Sequence, residues 1–412
     1  MTSPETKVAS YTELPSFEQQ LLQFLSVVYE PAHTTLLVNC LRKLDIRGPR
    51  GTHPTAANLN HYFNKFQKLG LITEQRQCDP KLVEILSRIA VQEKRFSSFA
   101  TIIRKEAPVS YYYGKWTTRC WRAMREMRIG IYEQEFALID ESLEFLSGQC
   151  REILPSLPPP VVVTTTPFDC QWFKSLARSF QFFLLDKTLR YSQSSLHSFP
   201  EVLTFLQDDE TFSDLNSDEQ MPFQRLLFSQ LLLEGHLDAA EELVARHQDA
   251  FVGTGAAGSA AFCRGRHQEG LALFAQDLAA LRQLSGTDRV AFFGPTGLFY
   301  ALARLGENQV EATQEAAEYI STALTLFAKS AEAPGYRFLA ALIDARNNNL
   351  IRDEECTPTP TDQTHSLTLL IAAICQYWMS SDLDPELEEQ IQQLYQQAKD
   401  QNNRFFILNL AV

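Results

Sequence analysis

Gly235–Val244 (GHLDAAEELV) and Gly265–Phe274 (GRHQEGLALF) share one rhythm. A glycine stands where a tight turn is needed. A small residue follows five places later (Ala240, Gly270), and a bulky one four places further on (Val244, Phe274). Glycine accepts the left-handed backbone that such a turn demands. The small side chain lets two antiparallel helices approach, and the bulky one fills the space beside them. The two glycines lie 30 residues apart; Gly306 follows after 41, with Ala312 one place late in the rhythm. The spacing predicts paired helices from Met221 onward, repeating with irregular length. Leu367–Trp378 and Leu387–Ala398 supply another pair.

This rhythm is similar to that of tetratricopeptide hairpins, whose period is about 34 residues. The fold class expected is therefore mainly α, and residues 169–412 are expected to form an irregular helical-hairpin (tetratricopeptide-like) solenoid. Upstream, Leu154–Pro167 (LPSLPPPVVVTTTP) has three consecutive prolines and a Val/Thr run without helical period. Such a segment favours extended backbone, so residues 151–168 are expected to be a Pro-rich linker. Asp208–Asp218, acidic and polar, marks a second break.

The N-terminal part reads as three short helices and a strand. Ser16-x-x-Gln19 has the form of a capping box and opens a helix with Phe17, Leu21, Phe24 and Val28 on one face, stopped at Pro31. A second helix starts near Thr34 and buries Leu36, Leu37, Cys40, Leu41 and Leu44. A third starts at Thr55, carries Leu59, Phe63, Phe66 and Leu69 at helical spacing, and ends at Gly70. Leu71–Gln77 (LITEQRQ) alternates apolar and polar residues, the period of a strand. That order is the winged-helix order, so residues 12–80 are expected to form a winged-helix-like domain. The wing is expected to be short, because Asp79-Pro80 starts a new helix at once. Residues 81–150 follow as a helical extension with a basic helix.

The net charge of −13 is unevenly spread: residues 1–200 sum to +5 and residues 201–412 to −18, while residues 41–130 carry +11. A basic block suits a polyanion and an acidic half a protein partner. Residues 41–130 are accordingly expected to meet DNA. The third helix offers Asn58, Asn60, His61, Asn64, Lys65 and Lys68 off its apolar stripe. Asparagine can pair with adenine edges, and lysine neutralises phosphates. Further along, Arg119, Arg122, Arg125 and Arg128 accompany Trp116 and Trp121, a mixture able to hold single-stranded nucleic acid. Arginines in steps of three spiral around a helix, however, and Trp121, Met124 and Ile131 read as core. Arg119, Arg122 and Arg125 join the DNA-binding candidates.

No chemistry-bearing motif points to an enzyme within these residues. Gly253–Gly258 (GTGAAG) fits G-x-G-x-x-G, but a helical pattern precedes it where a dinucleotide site needs a strand. It reads as a loop between helices. There is no G-x-x-x-x-G-K-[ST], no H-E-x-x-H and no G-x-S-x-G, and the eight histidines do not cluster with cysteines at metal spacing. No catalytic residue, cofactor or metal is expected. No secretion signal opens the chain, and the longest apolar run, Leu367–Met379, is too short to span a bilayer. The eight cysteines stand singly, which suits a reducing cytoplasm. Phe405–Val412 (FFILNLAV) ends the chain on apolar residues, where solenoids usually end in a polar cap; this is the expectation for a piece of a longer protein or for docking on a partner.

The order of features resembles the N-terminal extensions of large bacterial Swi/Snf-type DEAD/DEAH helicase-like ATPases. The likeness is carried by Val28-Tyr29-Glu30-Pro31 with Thr35-Leu36-Leu37 and Cys40-Leu41, by Lys68-Leu69-Gly70-Leu71-Ile72, by Cys78-x-Pro80-x-Leu82-Val83, by Arg95-Phe96 and by Asn403-Arg404-Phe405-Phe406. It implies a DNA- and protein-binding regulatory region beside a C-terminal motor that is not in this chain, the helical repeats contacting that motor or another protein. The chain is also similar to LuxR-type regulators with tetratricopeptide-like sensor regions, although those place their DNA-binding helices after the repeats. A purely protein-binding scaffold is the other expectation.

Overall fold

The computed structural model describes residues 4–31, 33–110, 115–150, 157–208, 211–212, 215–328, 330, 332–348, 366–380 and 385–400. The described residues form 22 helices and no strand. The chain divides into two compact units, residues 1–188 and 189–412.

In the first unit the helices run α1 (Pro4–Thr12), α2 (Ser16–Val28), α3 (Thr34–Lys43), α4 (Ala56–Lys68), α5 (Val83–Gln92), α6 (Phe96–Glu106), α7 (Trp116–Glu133), α8 (Phe136–Gln149), α9 (Pro159–Thr165) and α10 (Cys170–Ser175), and α11 (Arg178–Ser195) straddles the division. α2 is the hub, packed against α5, α6 and α7. Its expected stripe, Phe17, Leu21, Phe24 and Val28, is buried, as are Leu59, Phe63 and Phe66 of α4. Leu69 is instead exposed. The cap of α2 differs from the expectation: Gln19 Nε2 donates to the carbonyls of Tyr11 and Thr12, and no side chain caps the helix. The capping box lies on α4, between Thr55 and Asn58.

Three expectations are corrected in this unit. Leu71–Gln77 is not a strand. The chain reverses through Arg76 (φ 63°), leaving one isolated bridge between Ile72 and Cys78. Nor do residues 157–168 form a linker. Pro159 and Pro160 occupy the first turn of α9, where a missing N–H costs nothing, and Val161, Val163 and Thr164 are buried. α9 packs on α7, and Arg88 donates to the carbonyls of Val163 (2.6 Å) and Pro167 (2.7 Å). Residues 12–80 and 81–150 therefore share one compact unit with α9 and α10. Finally, the cysteines are not all single: the α7–α8 hairpin brings Cys120 and Cys150 together in a disulfide. Maleimide labelling of the denatured chain should add two more labels after treatment with a dithiol reductant than before, read by intact mass. Equal labelling would show that the pair is not oxidised.

The second unit continues with α12 (Pro200–Gln207), α13 (Ser217–Glu234), α14 (Leu237–Arg246), α15 (Gln248–Phe251), α16 (Ala256–Cys263), α17 (His267–Ser285), α18 (Pro295–Gly306), α19 (Val310–Leu326), α20 (Ala333–Asn348), α21 (Ser366–Ser380) and α22 (Pro385–Asp400). Neighbours in sequence pair as α13/α14, α16/α17, α18/α19 and α20/α21, and α16, α18 and α20 pack on one another in turn. Gly235 (φ 79°) and Gly265 (φ 77°) make the expected left-handed turns. At the third turn Gly306 stays in α18 and Asn308 (φ 52°) takes the left-handed position. The longer turn displaces the small residue, but Ala312 is still buried. Gly270 sits where helices touch: a Cβ there would lie 3.2 Å from the Gly258 carbonyl. Among the described residues no helix is long and apolar enough to cross a membrane. Cys356, Tyr111–Gly114, residues 151–156 and Asn403–Val412, on which parts of the sequence reading rest, lie outside the described residues.

Candidate functional site

The nine DNA-binding candidates separate into two groups. On α4, Asn60, Asn64 and Lys68 follow at steps of four and so share one face; all three are exposed, as is His61. Asn58 is exposed but occupied: its Oδ1 accepts from the Thr55 backbone N–H (3.2 Å) and hydroxyl (2.7 Å). Lys65 reaches back to Glu18 at 2.6 Å. α4 therefore presents a polar stripe ending in a cation.

The α7 arginines are turned inward. Arg125 is fully buried; it donates to Glu126 (2.6 Å), Glu30 (3.4 Å) and the Ala107 carbonyl (2.7 Å). Arg122 contacts Glu30 at 3.1 Å and the Pro108 carbonyl at 2.9 Å. Arg119 lies 5.8 Å from the centre of the Phe145 ring. Arg128 meets Glu84 through two parallel bonds of 3.0 Å, donates to the Ser26 carbonyl (3.1 Å) and covers the Tyr29 ring at 4.1 Å. Arg104 adds a bond of 2.9 Å to Glu126. Arg125 is thus removed from the DNA-binding candidates, and Arg122 is engaged inside the unit.

The physical reason is that a helix packed on several sides has no solvent face, so a polar residue on it must find a partner. Glu30, Glu84 and Glu126 supply those partners, Glu84 in fork geometry with one oxygen for each of two Arg128 nitrogens. Burial alone would lower the Arg128 pKa, but Glu84 and the two neighbouring tyrosines more than offset it, and the pKa is raised. Burial, with Glu84 beside it, raises the Tyr132 hydroxyl well above its ordinary value. Tyr132 donates to Glu84 at 2.7 Å. Sequence reasoning missed these glutamates. The available signal was their position among apolar neighbours, as in Val83-Glu84-Ile85-Leu86.

Much of the outward-facing charge in the basic block lies elsewhere. Arg42, Arg50, Lys68, Lys81, Lys94 and Lys105 are exposed, while Lys43 bonds Glu106 at 2.5 Å.

The glycine-rich loop is a loop between helices, as read from sequence. Gly253 (φ 72°) and Gly255 (φ 73°) aim their N–H groups at the two oxygens of Asp277, each at 2.9 Å. Burial raises the Asp277 carboxyl above the usual range, and the two backbone donors offset part of that rise. The anion facing the glycines is the chain's own. Among the described residues no group of three or more His, Cys, Asp or Glu is placed to hold a metal. No protein-family model, curated protein or solved structure matches the chain.

Proposed function

We propose that the chain is a non-catalytic binding protein whose second unit holds a protein partner on an irregular tetratricopeptide-like solenoid. The supporting observation is the succession of helix pairs from α13 to α21, with α16, α18 and α20 packed on one another. Stacks of this kind offer long continuous surfaces built from residues far apart in sequence. The charge of −18 over residues 201–412 favours a basic segment in the partner. The test is titration of the full chain with fluorescent Lys/Arg-rich peptides at rising salt. Affinity should fall with salt and fall further when the exposed Glu311 and Glu318 of α19 are changed to lysine. Peptide binding indifferent to both changes counts against this reading.

A second reading, DNA contact through the first unit, rests on the exposed stripe of α4 and the cations around it. It agrees with the winged-helix-like order of α2, α3 and α4 and with the resemblance to helicase-associated extensions, which would set the chain beside a motor. In this reading α7 is framework and α4 the contact. Fluorescence anisotropy with duplex DNA should show affinity that weakens as salt rises. Lys68→Glu with Asn64→Ala should weaken it further. A flat titration at low salt removes DNA from the function.

A further inference from the structure

We propose that the second unit binds an uncharged, elongated apolar small molecule, an alkyl chain with a hydroxyl head, in the cavity where α21 meets α16 and α18. This goes beyond the protein-binding role. The cavity measures about 460 Å³, within the range of about 300–1,000 Å³ typical of small-molecule sites. Phe262, Leu271, Phe299, Leu302, Ile371 and Ile374 form its walls. The space exists because α18 presents small residues there, Ala303 and Gly306, where larger side chains would close the gap. The space opens to solvent beside the exposed His267, Gln268 and Trp378, so its apolar walls face water and an apolar ligand would supply the contacts they lack.

The charge pattern selects the ligand. No lysine or arginine lines the cavity among the described residues, so an anionic head finds no counter-charge. The one lining carboxylate, Glu307, is already bound by Arg304, so a cationic head gains nothing there. Inside, burial pushes the Cys263 thiol up to about 12, so it is neutral at working pH. The exposed His267 and Gln268, on the lining at the start of α17, offer hydrogen-bonding groups for a hydroxyl head. A second cavity of about 370 Å³, on α13 and α14, differs in that Asp208, Glu242, Arg246 and His247 line it. It has no comparable preference for a neutral guest.

The full chain titrated with N-phenyl-naphthylamine, a neutral apolar fluorophore, should bind it saturably. Decanol should displace the fluorophore about tenfold more effectively than decanoate or decyltrimethylammonium, because neither charged head finds a free counter-charge on the lining to offset the hydration it loses on approach. Ala303→Phe fills the cavity and should weaken binding about tenfold or more through steric exclusion. If that variant does not fold, the fluorescence of Trp378, which lines the cavity, decides, taken as the difference between the unaltered chain and Trp378→Phe: decanol should change it saturably. Non-saturable binding, equal displacement by all three heads, a folded Ala303→Phe chain that binds as before, or Trp378 fluorescence indifferent to decanol would each overturn the proposal. Loss of peptide binding to the solenoid leaves these results untouched, so the two proposals fail separately.

Discussion

Replacing Arg128 by methionine should lower the unfolding free energy of the first unit by about 3–5 kcal/mol, the usual cost of removing one partner from a buried pair. Glu84 is fully buried and takes two bonds from Arg128. Without the guanidinium, its carboxylate keeps Tyr132 but has no counter-charge. The double change Glu84→Leu with Arg128→Met removes both charges and should regain most of the loss, because a well-packed apolar pair often equals a buried ion pair. Urea unfolding followed by circular dichroism measures both. If the double variant is as unstable as the single one, the bonds are not the reason that the pair is buried. Arg128→Lys should also fail to restore stability, since an ammonium cannot present the parallel fork that Glu84 accepts.

Phe274→Ala should cost about 3–5 kcal/mol in the second unit, the range for deleting a buried aromatic side chain. Phe274 is fully buried, its ring lying 5.5 Å from that of Tyr300 and 5.9 Å from that of Phe292. It also fills the notch left by Gly258: a Cβ there would sit 2.6 Å from the ring. Gly258→Ala should therefore destabilise by overpacking, by about 1–3 kcal/mol. The same unfolding experiment ranks the two. If Phe274→Ala proved the milder change, the ring would not be what holds α16 and α17 together.

The second unit was the more legible half in sequence, because its turns need a particular backbone. Gly235 and Gly265 advertise left-handed positions, and Ala240 and Gly270 advertise close helix contact. Asn308 hid the third turn, since asparagine tolerates that conformation without glycine's conspicuousness. In the first unit the apolar stripes of α2 and α4 were readable at helical period, and so was the exposed stripe of α4. The fate of the α7 arginines was not. A step of three turns each arginine about 60° from the last, so the four sweep about half the helix, and only packing decides which of them meet solvent. Their carboxylate partners at Glu30 and Glu84 lie 44 to 95 residues away in sequence. The proline run misled for a related reason. Proline breaks the middle of a helix but suits its first turn, and the tertiary contacts of Arg88 choose between the two. The pairing of Cys120 with Cys150 depends on the α7–α8 hairpin, which spacing alone does not reveal.

The loop held by Asp277 has a chemical consequence of its own. Glycine-rich turns bind phosphate because their N–H groups converge on an anion. Here a carboxylate on the neighbouring helix α17 takes that position, and both N–H groups are engaged by it. The donors that elsewhere hold a ligand are spent here on joining the turn before α16 to α17, so the loop acts as a clasp between helices.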